Sequence, residues 1–161
     1  MKNLITIGLP SKGRLREEAI QFFRKNNFKL NSNGGERNYF ARFKKYPNIK
    51  IIYLHAKEII QRLGDGTLDI GISGLDLLNE SATNLKQKIE IKKKLDFGSA
   101  NVVVAIPNDW IDVQTVADLE EVSFDFRDKK NTRLRVATKY PNLTNNFLVS
   151  KGVTQYKLVP S

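Results

Sequence analysis

Leu4-Ile5-Thr6-Ile7-Gly8-Leu9-Pro10-Ser11-Lys12-Gly13-Arg14-Leu15 is the stretch on which the fold turns. Its apolar, partly β-branched start predicts a short buried strand that breaks at a proline. From Arg16 to Arg24, Ala19, Ile20, Phe22 and Phe23 are set among charged residues in the pattern of a helix. Between strand and helix lie two cations and a glycine. A glycine lets backbone approach a ligand closely, and the first N–H groups of a helix have no internal partner, so each feature favours an anion. An ordinary strand-to-helix turn with solvated Lys12 and Arg14 accounts for the same residues. The glycine spacing matches neither the dinucleotide fingerprint nor the P-loop.

The same alternation continues along the chain and predicts α/β architecture with mostly parallel strands. Asn31 to Arg37 reads as a turn and Tyr39 to Lys44 as a short strand. Ile49 to Leu54 is a strong strand, followed by a helix from His55 to Leu63 that Gly64-Asp65-Gly66 closes. Leu68 to Ile72 reads as a third strand, with a short helix over Leu75 to Leu78. Asn79 to Lys94 is polar and charged, which places a lobe boundary near its end and divides the chain into 1–94 and 95–161. In the second part, Asn101 to Ile106 is expected as a strand stopped by Pro107, and Thr115 to Leu119 as a brief helix capped by Thr115. Leu134 to Ala137 and Tyr156 to Val159 read as strands around a helix from Pro141 to Lys151.

Composition narrows the function classes. The chain of 161 residues is 40% apolar, enough for a core. It has no run near the roughly 18 apolar residues of a membrane span and no signal-like start, so a cytoplasmic protein is expected. The absence of cysteine excludes thiolate chemistry, and one histidine makes no metal cluster. A net charge of +10 attracts polyanions, with Lys92-Lys93-Lys94 and Arg127, Lys129 and Lys130 as the densest clusters. These lack interleaved aromatics and any helix-turn-helix, zinc or RNA-recognition signature, so no nucleic-acid partner is expected.

Two further junctions resemble the first. Asp69-Ile70-Gly71-Ile72-Ser73-Gly74-Leu75-Asp76 is a glycine-rich strand end running into a helix, where α/β sheets hold their ligands. Its glycines could expose backbone N–H groups and its aspartates accept from hydroxyls; for this junction taken alone, tight packing and turn capping are the favoured account. Arg135-Val136-Ala137-Thr138-Lys139-Tyr140-Pro141 repeats the pattern with a cation and hydroxyls. Three such crossings together point to a phosphorylated, nucleotide-like ligand.

Pro10-Ser11-Lys12-Gly13-Arg14-Leu15, Asp69 to Asp76, Leu95-Asp96-Phe97-Gly98 with Val103 to Pro107, and Ala137 to Thr144 together resemble the ATP phosphoribosyltransferases, collinearly from Leu4 onward. The resemblance is to the short form of the catalytic subunit. Ser32 to Tyr39 and Trp110-Ile111-Asp112-Val113 are similar to the alphaproteobacterial version. It implies a two-lobed fold like the type II periplasmic binding proteins, with the active site in the interlobe cleft. The implied reaction is attack by N1 of ATP on C1 of phosphoribosyl pyrophosphate, with substrate-bound Mg2+. Also implied are a homo-oligomer and a hetero-oligomer with a regulatory subunit similar to histidyl-tRNA synthetase.

Carried over by resemblance, Ser11, Lys12, Gly13, Arg14 and Leu15 form the phosphate and nucleotide contact, and Arg37 stands for a nucleotide-site arginine. Asp69, Gly71, Ile72, Gly74 and Asp76 form a second wall, and Thr138, Lys139 and Tyr140 a segment of the second lobe facing the cleft. His55 follows a strand and is expected to be structural. The family's acidic, glycine-rich loop for phosphoribosyl pyrophosphate, of Thr-Gly-x-Thr-Leu type, is expected just after Ser161, with a return segment completing the first lobe. The expectation is therefore a truncated gene product, the alternative being a non-catalytic nucleotide-binding homologue. Either should show an unpaired edge and exposed apolar surface.

Overall fold

The computed structural model describes residues 4–31 and 39–161. The chain is α/β and divides into two compact units, Met1–Ala100 and Asn101–Ser161.

In the first unit, strand β1 (Ile5–Pro10) leads into helix α1 (Arg14–Lys25), followed by β2 (Leu30–Asn31), β3 (Phe40–Phe43) and β4 (Tyr46–Leu54). Helix α2 (Ala56–Gly64), strand β5 (Ile70–Gly71), and short helices α3 (Leu75–Glu80) and α4 (Thr83–Lys86) complete it. The sheet order is β2-β3-β4-β1-β5. β1 runs parallel to both β4 and β5, whereas β2/β3 and β3/β4 are antiparallel, so the sheet is mixed.

Strand alternation sends Ile7, Leu9, Ile51 and Tyr53 to one face, where they pack with Ala19 of α1 and with Ala41 and Phe43. Phe23, Phe28 and Phe43 interlock there with ring centroids 5.1 to 6.1 Å apart. The opposite face takes α2 through Leu54, Ile59 and Leu68, joined by Ile52 and Leu63. Leu9, Ile51 and Ile59 are fully buried, each contributing about 1.5–3 kcal/mol by transfer from water. α2 comes this close because Gly8 and Gly71 face it. A Cβ at Gly71 would lie 2.5 Å from Ile59 Cγ2, and one at Gly8 would run into Leu68 Cδ2.

The second unit holds α5 (Val116–Lys130), β6 (Leu134–Thr138), α6 (Pro141–Ser150) and β7 (Tyr156–Pro160), with β6 and β7 paired in parallel. Leu119, Leu148 and Val153 form its core, with Trp110, Val113, Val116, Val136 and Tyr156 packed around them. α5 begins with a full capping box: the Asp118 carboxylate accepts from the Thr115 N–H at 2.6 Å, and the Thr115 hydroxyl accepts from the Asp118 N–H.

Three expectations need correction. Asn101 to Ile106 is not a strand: it pairs with no strand in either sheet, and Val102 and Val103 are 62% and 75% exposed. β-branched composition favours extended backbone, but a strand needs a ladder partner, and none of the described residues supplies one. α5 extends to Lys130 instead of ending near Leu119, because its buried stripe passes through Ser123. The Ser123 hydroxyl donates to the Glu120 carbonyl at 2.7 Å, so the hydroxyl keeps a partner although buried, and a polar residue on the buried stripe hides the apolar period. The third strand shrinks from Leu68–Ile72 to two residues, because only Ile70 and Gly71 enter the ladder with β1.

Candidate functional site

Because β4, β1 and β5 are parallel, their carboxyl ends share one edge of the sheet, and each runs directly into a helix. At the first junction, Ser11, Lys12, Gly13 and Arg14 are exposed and Leu15 is half-buried. Gly13 is the N-cap of α1 at φ 78, a conformation L residues rarely adopt. No side chain caps this helix. The N–H groups of Arg14 and Leu15 have no carbonyl one turn earlier to receive them. The positive end of the α1 dipole and two exposed cations, Lys12 and Arg14, thus belong to the same short turn. Arg14 meets Glu18 only at 3.7 Å and is 71% exposed, which leaves it able to turn to an anion.

The second junction is His55, N-cap of α2, whose Nδ1 accepts from the Lys57 N–H at 3.4 Å. The third runs from Ile72 through Ser73 to Gly74, N-cap of α3, with Asp76 in the first helical turn folded against Gly74. Two hydrogen bonds tie the three together. The Ser11 N–H donates to the Leu54 carbonyl at 2.8 Å, and the Ser73 hydroxyl donates to the Ala56 carbonyl at 2.9 Å. Nothing in the spacing of Ser11, Leu54, Ala56 and Ser73 along the sequence announces these ties, which depend on strand order.

The structure separates the expected second wall into two groups. Gly74 and Asp76 lie at the shared edge. Asp69 does not: it is level with Thr6, whose backbone N–H and hydroxyl both donate to Asp69 Oδ2 at 2.6 Å. The Thr6 hydroxyl, then its N–H, hold the Asp69 carboxyl below the usual range. Gly71 is filled against by Ile59 and Leu63, and Ile72 packs into the α1 side of the core. Arg37 lies outside the described residues.

Nearby, the Arg16 guanidinium sits 4.9 Å from the centre of the Tyr53 ring. Burial pushes the Tyr53 hydroxyl up from its ordinary value, opposed by the charges of Arg16 and Arg24. A shallow depression lined by Glu17, Ile20, Gln21 and Arg24 lies on α1 alone and includes none of the junction residues.

In the second unit, β6 ends at Thr138 and α6 begins at Pro141. The Thr138 and Thr144 hydroxyls are 2.8 Å apart, and the Tyr140 N–H donates to Thr138 Oγ1 at 3.0 Å. Thr138 thus organises the crossing, while Lys139 is exposed. The basic clusters are partly paired: Lys92 with Glu90, Arg127 with Asp128, and Lys129 with Asp125. Among the described residues no three His, Asp or Glu side chains gather into a metal-binding group.

A family model described as ATP phosphoribosyltransferase matches residues 55–161. The chain is 45% identical over 161 residues to an ATP phosphoribosyltransferase of Rhodopseudomonas palustris (strain BisB18), covering all of this chain and 50% of that one. It is 43% identical over 159 residues to one of Mesorhizobium japonicum, covering 98% of this chain and 68% of that one. The chain thus spans from about half to two thirds of the length of these curated relatives. Among solved structures, it is similar to a chain of the ATP phosphoribosyl transferase (HisG:HisZ) complex from Thermotoga maritima. The TM-score is 0.57 at 21% identity, over 98% of this chain and 63% of that one.

Proposed function

The chain belongs to the ATP phosphoribosyltransferase family, and from that premise we propose that its first unit binds the nucleotide substrate of that reaction at the Lys12-Gly13-Arg14 junction. The reaction transfers the phosphoribosyl group of phosphoribosyl pyrophosphate to N1 of ATP, giving phosphoribosyl-ATP and pyrophosphate, the first step of histidine biosynthesis. The observation that carries the reading is the edge where β4, β1 and β5 end together, with an uncapped helix start and two exposed cations tied to its neighbours.

The chemistry suits this equipment. N1 of ATP bonds to C1 of the ribose as the bond from C1 to pyrophosphate breaks, so the protein must align two polyanions and offset charge on the leaving group. Lys12, Arg14 and the α1 N–H groups would bind and orient phosphate oxygens, and Gly74 and Asp76 would border the nucleotide. Thr138, Lys139 and Tyr140 would supply the second unit's contact. Mg2+ bound to the substrates' own phosphates would reduce their charge, with Lys12 and Arg14 offering further positive charge to those phosphates.

The two-lobed fold of the type II periplasmic binding proteins belongs to this proposal, as do a cytoplasmic location, a homo-oligomer and a regulatory partner similar to histidyl-tRNA synthetase. The likeness to a chain of the HisG:HisZ complex supports the partner. No helix among the described residues is long and apolar enough to cross a membrane.

Calorimetric titration with ATP, then with phosphoribosyl pyrophosphate and Mg2+, tests the reading. Saturable ATP binding that the Lys12→Ala/Arg14→Ala double variant loses is the expected result. A folded chain that binds neither ligand, or a double variant that binds ATP as the wild type does, would remove the junction from the site.

A further inference from the structure

Asp69 has the composition of a ligand contact and the position of something else. β5 gives the sheet only Ile70 and Gly71, at its edge. Ile70 is 52% exposed, so burial of its own side chain does little to hold the strand in place. Yet the register of β5 decides where the chain emerges at Ser73 and Gly74, and a slip of one residue exchanges the faces of every side chain. Such a slip would press a side chain against α2 where Gly71 now sits, 2.5 Å from Ile59 Cγ2 and 2.9 Å from Leu63 Cδ1 for any added Cβ.

We propose that Thr6 and Asp69 are a positioning pair that fixes the register of β5 on β1 and, through it, the placement of the Ser73-Gly74 junction for nucleotide. The inference rests on the functional reading above. Three donors and acceptors meet at one level of the sheet. Asp69 Oδ2 takes both Thr6 donors at 2.6 Å, and the Asp69 N–H returns to the Thr6 carbonyl at 3.2 Å. A carboxylate receiving two donors from one residue is specific in direction as well as distance. At the other end of the segment, Ser73 is pinned to the Ala56 carbonyl. Between the two pins, the Ile72 N–H donates to the Gly8 carbonyl at 3.0 Å, and that bond survives only in the native register.

The Ile72 amide is therefore the reporter. Hydrogen exchange at Ile72 and calorimetric ATP affinity are measured on wild type, Thr6→Val, Asp69→Ala, the double variant and Thr6→Ser, with folding of each checked by circular dichroism. Loss of the pair should accelerate Ile72 exchange about tenfold and weaken ATP binding by a similar factor. The double variant should be no worse than the more severe single one. Thr6→Ser, which keeps both donors, should match wild type in both readouts. ATP affinity lost in Asp69→Ala but kept in Thr6→Val, with Ile72 exchange unchanged, would make Asp69 a direct ligand contact and overturn the proposal. Ile72 exchange unchanged in every variant would overturn it as well. Wild-type protein that binds no ATP would sink the functional reading and the pair's link to it, while Ile72 exchange would still decide whether the pair sets the register.

Discussion

Ile49-Lys50-Ile51-Ile52-Tyr53-Leu54 and Asn101-Val102-Val103-Val104-Ala105-Ile106 are runs of equal length with similar β-branched content. In the first unit the former lies in β4 between β3 and β1, with Ile51 fully buried. In the second unit the latter pairs with nothing in either sheet, and Val103 is 75% exposed. The local signal is the same and the outcome differs because a ladder is made by two strands. The two units differ in the same way: one has both faces of a five-stranded sheet covered, the other two parallel strands backed by one small core.

If burial and pairing decide the contrast, Ile51→Ala should cost about 2–5 kcal/mol in urea denaturation, through lost transfer energy and the cavity left behind. A cost under about 1 kcal/mol would mean that the core around β4 is loose. The next effect is functional: Lys12→Ala and Arg14→Ala should each weaken ATP binding by about 1–3 kcal/mol in calorimetry, as charge-assisted hydrogen bonds to phosphate would. The same substitution at Lys93 and Lys94 should leave affinity nearly unchanged, since that run is exposed apart from an approach of Lys93 to the Phe22 ring.

In the second unit, Thr115→Ala should cost about 1 kcal/mol, the usual loss for a removed N-cap. The Thr115 N–H, the Thr115 hydroxyl and the Gln114 N–H hold the Asp118 carboxyl below its ordinary value. A depressed carboxyl stabilises the fold above its unfolded pKa of about 3.9 and loses that contribution as pH falls through the folded value. Acid titration of α5 helicity should therefore show a loss beginning below about pH 4 that Asp118→Asn removes. The smallest effect belongs to the exposed run: Val103→Ala should change stability by less than about 0.5 kcal/mol. A cost rivalling that of Ile51→Ala would show that Val103 is covered in solution and would break the contrast.

The first strand-to-helix junction was legible because its parts are local: a proline, a glycine, two cations and the start of an amphipathic helix follow one another within a few residues. The capping box of α5 was half legible, Thr115 being readable and the helix length hidden by the buried Ser123. The hydrogen bonds of Asp69 to Thr6 were not legible, because the two residues are 63 positions apart and become adjacent only when β5 joins β1. The failed strand at Asn101 to Ile106 has the same origin. Sequence states what a segment prefers, while pairing depends on what the rest of the chain brings alongside.

The place of β1 in the sheet has a temporal side. It is made before both of its neighbours, β4 and β5, so Ile7 cannot complete its pairing until Ile70 has been synthesised. At roughly 5–20 residues per second of translation, that wait is about 3 to 13 seconds. Until β4 has been made, Ile5, Ile7 and Leu9 lack the strand beside which they are buried, and until β5 has been made one edge of β1 stays open. Slower translation between β1 and β5 should therefore raise the fraction of chains lost to aggregation without altering the stability of those that fold.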